Sequence, residues 1–446
     1  MTVQWNDVAG SFNPESAPDY LPEPQLRRLQ LQRLQAIVHR AYERVDHFRQ
    51  RLNAAGVKPD DIRELEDIRL LPFTEKSDLR DTYPYGLFAS PMSDIVRLHA
   101  SSGTTGKPIV VGYTQQDMEV WKNVMKRTFA AVGLHRRDII QNAFGYGLFT
   151  GGLGVHYGAE ALGATVVPIS GGHSDRQIMV MRDFGVTAIC ATPSYFVHLI
   201  EVAERMGIEL RSLPLRTGIF GAEPWTDPMR RYIEEKAGIK AYDIYGLSEI
   251  IGPGVGSECE EQDGLHIHED HFLAEIVDPV TGDVMPEGKE GELVLTTLSK
   301  EAMPIVRYRT HDITHLIPEP CPCGRTIRRM SRVGRRTDDM FIVRGVNVFP
   351  AQIEAALLRA ERDLPHYQII LSRKAGLDQM EVQVEVTKEL LGDTISQMES
   401  LQRRFAKAIE DVVGIRATVT LVEPQSIARS EGKAKRVLDT RKEDQI

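Results

Sequence analysis

The stretch His99-Ala100-Ser101-Ser102-Gly103-Thr104-Thr105-Gly106-Lys107-Pro108 sets four hydroxyl residues, two glycines and one lysine into the eight positions from 101 to 108. Small residues let a backbone close around phosphate oxygens, hydroxyls add donors, and a lysine supplies positive charge where a leaving group develops its own. The spacing excludes a Walker A loop, because two residues rather than four separate the glycines and Pro108 stands where Ser or Thr would hold magnesium. Kinase and motor NTPase readings lose their support. The apolar segments 95–100 and 109–114 predict two strands in a hairpin-like frame around this loop.

Downstream, Met118, Trp121, Met125, Phe129 and Val132 form one helical stripe, and DIIQNAF, ATVVPIS and VTAICAT read as short buried strands between helical or Gly-rich pieces. That alternation predicts an α/β fold. Upstream, residues 24–56 place Leu26, Leu29, Leu34, Ile37, Val38 and Tyr42 near helical spacing, predicting an amphipathic helix. From about 270 the pattern turns β-rich, with LAEIVDP and GELVLTTL joined by a turn. A last block of about 100 residues alternates strands with a helical run, predicting a small α+β domain. The predicted boundary puts 1–337 in a large domain and 338–446 in the small one, near Asp338 and Asp339.

The chain has 446 residues, 54 Lys and Arg against 63 Asp and Glu, and a formal charge of −9, so no basic excess draws it to nucleic acid. The acidic opening, and the lack of any 18-residue uncharged apolar run, predict neither a signal peptide nor a membrane span, and hence a cytoplasmic protein. Four cysteines are too few for a disulfide framework in a chain this long.

Eight stretches, in order along the chain, resemble the phenylacetate-CoA ligase family of the adenylate-forming acyl-CoA synthetases. They are HASSGTTGKP (99–108), NAFGYGLFTGGLGVHYGAEALG (142–163), IFGAEPW (219–225), DIYGLSEIIGPGVGSEC (243–259), EDHF (269–272), MPIVRYRTHD (303–312), TDDMFIVRGVNVFP (337–350) and EGKAKR (431–436). The resemblance implies a large adenylate-forming domain with a mobile C-terminal domain. It implies an ATP-dependent acid–thiol ligase that makes an acyl adenylate, releases pyrophosphate and passes the acyl group to CoA. Phenylacetate is the leading substrate, with a substituted aryl acetate or a benzoate as alternatives, and family members are commonly homodimers.

The roles implied by resemblance divide by half-reaction. Ser101, Ser102, Gly103, Thr104, Thr105, Gly106 and Lys107 would hold the phosphates, Glu249 would bind Mg2+ as a hard oxygen donor, and Ser248 would contact the α-phosphate or carboxylate. Ala222, Glu223 and Pro224 would pack along adenine, with Asp243, Ile244, Tyr245 and Gly246 as the opposite wall. Asp312 would accept from both ribose hydroxyls, because an ionised carboxylate has two acceptor oxygens and no donor. Arg336 would reach phosphate or ribose, with Arg335 the alternative. Lys433 would approach the α-phosphate during adenylation. Asp338 would be the hinge, and Gly345 would face the CoA tunnel after the small domain turns. Phe144, Tyr146, Phe149, Ile219 and Phe220, with Ile244, would surround an aromatic ring.

Cys321-Pro-Cys323-Gly is a sharp turn with two thiols, and Cys259 and His266 could complete a tetrahedral structural zinc site, as a subset of the resembled family is expected to carry. Cys190 reads as a core residue. Two enzymatic rivals remain. One is an adenylating enzyme that loads a carrier protein instead of CoA. The other is a metal-dependent hydrolase built on His266, His268 and His271, whose spacing with Asp270 fits H-x-H-x-D-H but leaves the phosphate loop unexplained. A third rival is a non-catalytic nucleotide-binding module, in which Lys433 and Glu249 would be dispensable.

Overall fold

Strands β1 (Ile95–Ala100) and β2 (Val110–Thr114) pair antiparallel, with Ala100 opposite Val110, and so form the expected frame. The computed structural model describes residues 12–101, 108–337, 339–344, 346–361, 366–374, 377–386, 395–430 and 434–441. Immediately after β2, Thr114 Oγ1 accepts from the Asp117 amide at 3.1 Å and Asp117 accepts from the Thr114 amide at 2.9 Å. This capping box opens the helix Gln115–Ala131. Its stripe of Met118, Trp121, Met125 and Phe129 is buried, as i, i+3 and i+4 spacing requires. The Asp117 carboxylate also accepts the amides of Glu301 and Ala302, at 2.6 and 2.9 Å, and so ties the helix start to a distant loop.

The main sheet is built from β3 (Ile139–Asn142), β4 (Thr165–Val167), β5 (Ala188–Ala191), β6 (Thr217–Gly221), β7 (Lys240–Leu247), β8 (Gly252–Ser257) and β9 (Leu265–Ile267). After β10 (Phe272–Val277), β11 (Gly291–Thr297) and β12 (Tyr308–Thr314) come β13 (Leu316–Ile317) and β14 (Arg329–Met330), which return to its edge. Among the described residues its order is β13-β14-β9-β8-β7-β6-β5-β3-β4. The pairs from β4 through β3, β5 and β6 to β7 are parallel, and those from β7 outward to β13 are antiparallel. Parallel strands covered by helices on both faces read as unbroken apolar runs, and Ala188 to Ala191, including Cys190, are all fully buried.

A second sheet has the order β10-β11-β12-β15, where β15 is Arg335–Arg336, and its last pair sets Asp312 opposite Arg336. The expected single helix over 24–56 is two, Glu23–Arg44 and Asp46–Ala55. Val45 between them is extended at φ −118°, a break favoured by a β-branched residue just before an acid that suits a helix start.

Beyond residue 340, β16 (Phe341–Val343) and β17 (Val346–Val348) form a hairpin. Then β18 (Tyr367–Lys374), β19 (Leu377–Glu385), β20 (Thr418–Val422) and β21 (Val437–Asp439) form a sheet of order β20-β19-β18-β21. The helices Pro350–Ala360 and Ile395–Val413 contribute Ile353, Leu357, Phe405 and Ile409 to a separate core cluster there.

Candidate active site

The carboxyl ends of β3, β6 and β7 converge, the position where open parallel sheets bind ligands. β6 ends at Gly221, and Ala222 follows in the left-handed region at φ +69°. A side chain there is strained, a cost that structures keep where backbone placement matters. In β7, a Cβ on Gly246 would lie 2.0 Å from the Gly252 carbonyl oxygen, so the close approach to β8 needs glycine. Ile244 is buried beside it.

Three strands meet at Asp312, which is 2% exposed. Tyr245 Oη donates to Asp312 Oδ2 at 2.5 Å, and Arg336 Nη1 donates to Oδ1 at 2.7 Å. Burial and the adjacent Asp312 push the Tyr245 phenol well above its ordinary value, so its hydroxyl stays a donor. Arg335 turns away to pair with Glu290 at 2.8 Å. Asp243 is buried with its carboxylate 3.1 Å from Arg332 Nε, and Arg332 lies over the Trp225 ring at 4.4 Å. Glu223 Oε1 accepts from the Ser194 amide at 2.8 Å, and Pro224 lines a cavity of about 410 Å³ together with Glu223, Arg336, Glu354, Tyr367 and Arg436.

Glu249 is 7% exposed and accepts from Tyr308 Oη at 3.1 Å, while its backbone carbonyl accepts from Lys300 Nζ at 2.9 Å. Lys300 is buried, lies 5.0 Å from the Tyr113 ring centroid, and is pulled down to about 8 by desolvation. Ser248 Oγ is 3.1 Å from Thr150 Oγ1. Tyr308 and Lys300 escaped the sequence reading. Tyr308 has a usable signal, since it lies four residues before Asp312 on one strand and so shares its face; Lys300 has none.

Of the proposed acyl-pocket residues, Phe144 is half-buried against the cluster that holds Ile219 and Ile244. Tyr146 Oη accepts from Asn142 Nδ2 at 2.7 Å and lies 3.1 Å from His156 Nδ1, and Phe149 is exposed at the start of the helix Thr150–Leu162. Strand alternation puts Phe220 on the opposite side of the sheet from Ile219. It packs on Phe196 and Trp225, with centroids at 5.0 and 5.7 Å, inside a different core cluster. Phe220 is therefore a core residue rather than a pocket wall. Ser101 closes the described flank of the loop, its amide donating to the Ile109 carbonyl at 2.9 Å. Ser102, Gly103, Thr104, Thr105, Gly106, Lys107, Asp338, Gly345 and Lys433 lie outside the described residues.

Cys259, His266, Cys321 and Cys323 gather their ligand atoms within 4.8 Å of one another. Tetrahedral zinc with Zn–S of about 2.3 Å and Zn–N of about 2.0 Å would separate two sulfurs by about 3.8 Å and sulfur from nitrogen by about 3.5 Å. Here Cys259 Sγ to Cys321 Sγ is 3.7 Å and Cys323 Sγ to His266 Nε2 is 3.4 Å. His266 Nδ1 donates to the Ile327 carbonyl at 3.2 Å, which leaves Nε2 as the lone-pair nitrogen. The donors thus fit zinc. His268 instead bonds the Gly254 carbonyl through Nδ1 at 2.8 Å, and His271 lies 2.7 Å from Ser299 Oγ and 3.1 Å from Asp270. The three histidines face three different partners, and among the described residues the one cluster of three or more His, Cys, Asp or Glu side chains placed to share a metal is the Cys/His group. No helix among them is long and apolar enough to cross a membrane.

An α/β large part in which Tyr245, the buried Asp312 and Arg336 meet, followed by a small α+β part, fits the adenylate-forming layout that the motifs imply. Matches to the AMP-binding enzyme family over residues 43–299 and to the AMP-binding enzyme C-terminal domain over 345–441 agree. The chain is 52% identical to the phenylacetate-coenzyme A ligase of Thermus thermophilus, over 95% of this chain and 98% of that one, and 52% identical to that of Escherichia coli, over 94% and 95%. It belongs to the phenylacetate-CoA ligase family and is an ATP-dependent acid–thiol ligase that works through an acyl adenylate. Among solved structures, 2-hydroxyisobutyryl-CoA ligase in its postadenylation state with 2-HIB-AMP superposes with TM-score 0.90 at 29% identity, covering 99% of this chain and 94% of that one. The same ligase with 2-HIB-AMP and CoA in its thioesterification state gives 0.71, covering 97% and 94%.

Proposed function

We propose that the acid is phenylacetate and the acceptor free CoA, giving phenylacetyl-CoA, AMP and pyrophosphate. The carboxylate oxygen attacks the α-phosphorus and pyrophosphate leaves; the CoA sulfur then attacks the acyl carbon, AMP leaves, and the thiol proton passes to solvent. The observation that carries this reading is the meeting of Tyr245, Asp312 and Arg336 in a chain half identical to phenylacetate-CoA ligases over nearly its whole length. In this reading Asp312 receives the ribose hydroxyls, Arg336 both orients Asp312 and faces the nucleotide, and Tyr245 with Ala222 to Pro224 encloses adenine. Glu249, aimed by Tyr308 and Lys300, would hold Mg2+, which supplies charge neutralisation on the departing pyrophosphate. Phe144, Tyr146 and Phe149 would line the aryl pocket. The large domain would span 1–337 and the mobile one 338–446, with Asp338 the hinge and Lys433 the charge brought to the α-phosphate.

Cys259, His266, Cys321 and Cys323 would hold structural zinc, with no open position for catalysis. Three thiolates on one dication leave a net negative charge, which Arg325 and Arg329 nearby would balance. A cytoplasmic homodimer that binds neither nucleic acid nor membrane completes the reading. A panel of phenylacetate, ring-substituted phenylacetates and benzoates, assayed for AMP with and without CoA, tests it. Phenylacetate is expected to give the highest kcat/KM, with CoA required for turnover; a benzoate preference, or turnover only with an acylated carrier protein, would overturn the substrate or acceptor assignment.

A further inference from the structure

Residues 427–430 and 434–436 lie against the large part, and one of its carboxylates holds each segment. On the upstream side, Glu201, on the helix Pro193–Arg205, accepts from Arg429 Nε at 3.4 Å and from His366 Nε2. Arg429 is itself held rigid, because Glu385 receives both its terminal nitrogens, at 2.8 and 2.7 Å, together with the amides of Gln425 and Ile427, at 3.0 and 2.6 Å. On the downstream side, Glu223 Oε2 accepts from the Ala434 amide at 3.0 Å while Oε1 holds the Ser194 amide at the start of the same helix. Glu201 and Glu223 are thus linked through one helix, and both reach the C-terminal part.

These contacts belong to the arrangement described here, which superposes on the postadenylation state of 2-hydroxyisobutyryl-CoA ligase far better than on its thioesterification state, and a turn of the C-terminal part away from the large part would break them. An interaction present in one of two states shifts their balance by its full differential strength, whereas a contact common to both shifts nothing. A charge-assisted pair of this kind is worth roughly a factor of ten in such a balance. His366 and Arg429 both belong to the C-terminal part, so Glu201 bonds across the interface as well as to His198 Nδ1, 3.4 Å away on its own helix.

We infer that Glu201 is a positioning residue for the adenylation half-reaction: by holding His366 and Arg429 it selects the arrangement in which the adenylate forms, and it has no part in transfer to CoA. This rests on the two-step reading above. The test separates the steps in the full-length protein. Pyrophosphate release is followed in a single turnover with Mg-ATP and phenylacetate without CoA, and thioester formation is followed from preformed phenylacetyl-adenylate with CoA. Glu201→Gln is expected to slow the first step about tenfold and to leave the second within about twofold. His366→Asn, which removes a partner from the opposite side, is expected to show the same split and serves if Glu201→Gln does not fold. Equal slowing of both steps in the folded variant would reduce Glu201 to a stability role, and no slowing of either would also overturn the inference. Wild-type protein that releases no pyrophosphate with any aryl acid would instead overturn the two-step reading itself.

Discussion

Asp312 joins three strands through one carboxylate, receiving Tyr245 from β7 and Arg336 from β15 while it sits on β12. Replacing it with alanine leaves a buried phenol and a guanidinium without their acceptor, a cost beyond the lost nucleotide contact. Asp312→Ala is expected to raise the KM for ATP at least about tenfold while the KM for the aryl acid changes little, as steady-state kinetics would read. A second residue-scale prediction concerns acid. Burial, only partly offset by Asp270, pulls His271 down to about 3, and His271 and Arg127 hold the Asp270 carboxyl below its usual range despite burial. Both groups bind fewer protons folded than unfolded, so the His271 share of stability is complete above about pH 6.5 and drains as pH falls toward 3, while the Asp270 share is complete above about pH 4 and drains only below it. The loss reaches at most about 1.4 kcal/mol per pH unit for each group. His271→Asn is expected to flatten the fall of the urea midpoint between pH 6 and pH 4; an unchanged slope would contradict it. Asp312 and Glu249 were legible because each sits in a short contiguous motif. Lys300 and Glu201 were not, because their partners are 51 and 165 residues distant in sequence and no local pattern marks the pairing.

At the scale of elements, the turn around Cys321 and Cys323 organises more than its own ligands. The segment Pro14–Tyr20 docks beside it: Asp19 receives Arg325 Nε at 3.2 Å and Arg127 Nε at 2.8 Å, and its backbone carbonyl accepts from the Thr326 amide at 2.9 Å. Asp270 then receives the other side of Arg127 at 2.9 and 3.0 Å, so the charges of this buried cluster are mutually paired. Purified protein is expected to carry about one zinc per chain by elemental analysis. Cys321→Ser is expected to lose it and to lower the unfolding temperature by about 5 °C or more, since metal-binding energy is folding energy at such a site. Metal-free protein of unchanged stability would contradict this. The gathering of Cys259, His266, Cys321 and Cys323 could be read from residue type and spacing, and the hairpin around the loop at 101–108 from turn chemistry. The docking of Asp19 could not, because an isolated acid in a polar segment carries no periodicity. Phe220 was misread for a related reason: a strand motif names the residues near a site, and only the pleat decides which face each one takes.

Over the whole molecule, one sheet gathers Ala222, Glu223, Tyr245 and Glu249 at its strand ends, and a smaller sheet brings Asp312 and Arg336 against them. The C-terminal part then lies over that edge through Glu201, Glu223 and Glu354, the last accepting from Thr226 at 3.1 Å. The order of α/β, β-rich and α+β regions was legible from the change of hydrophobic period along the chain. Their mutual placement was not, since a composition pattern carries no information about how two finished cores meet. The reaction divides into two separable steps, an adenylate made without CoA and then consumed by it. Phenylacetate-dependent exchange of labelled pyrophosphate into ATP, measured without CoA and followed by addition of CoA, tests this most directly. Exchange is expected before CoA is added, then phenylacetyl-CoA and AMP in equal amounts; thioester formation with no exchange under any CoA-free condition would rule out a free-standing adenylation step.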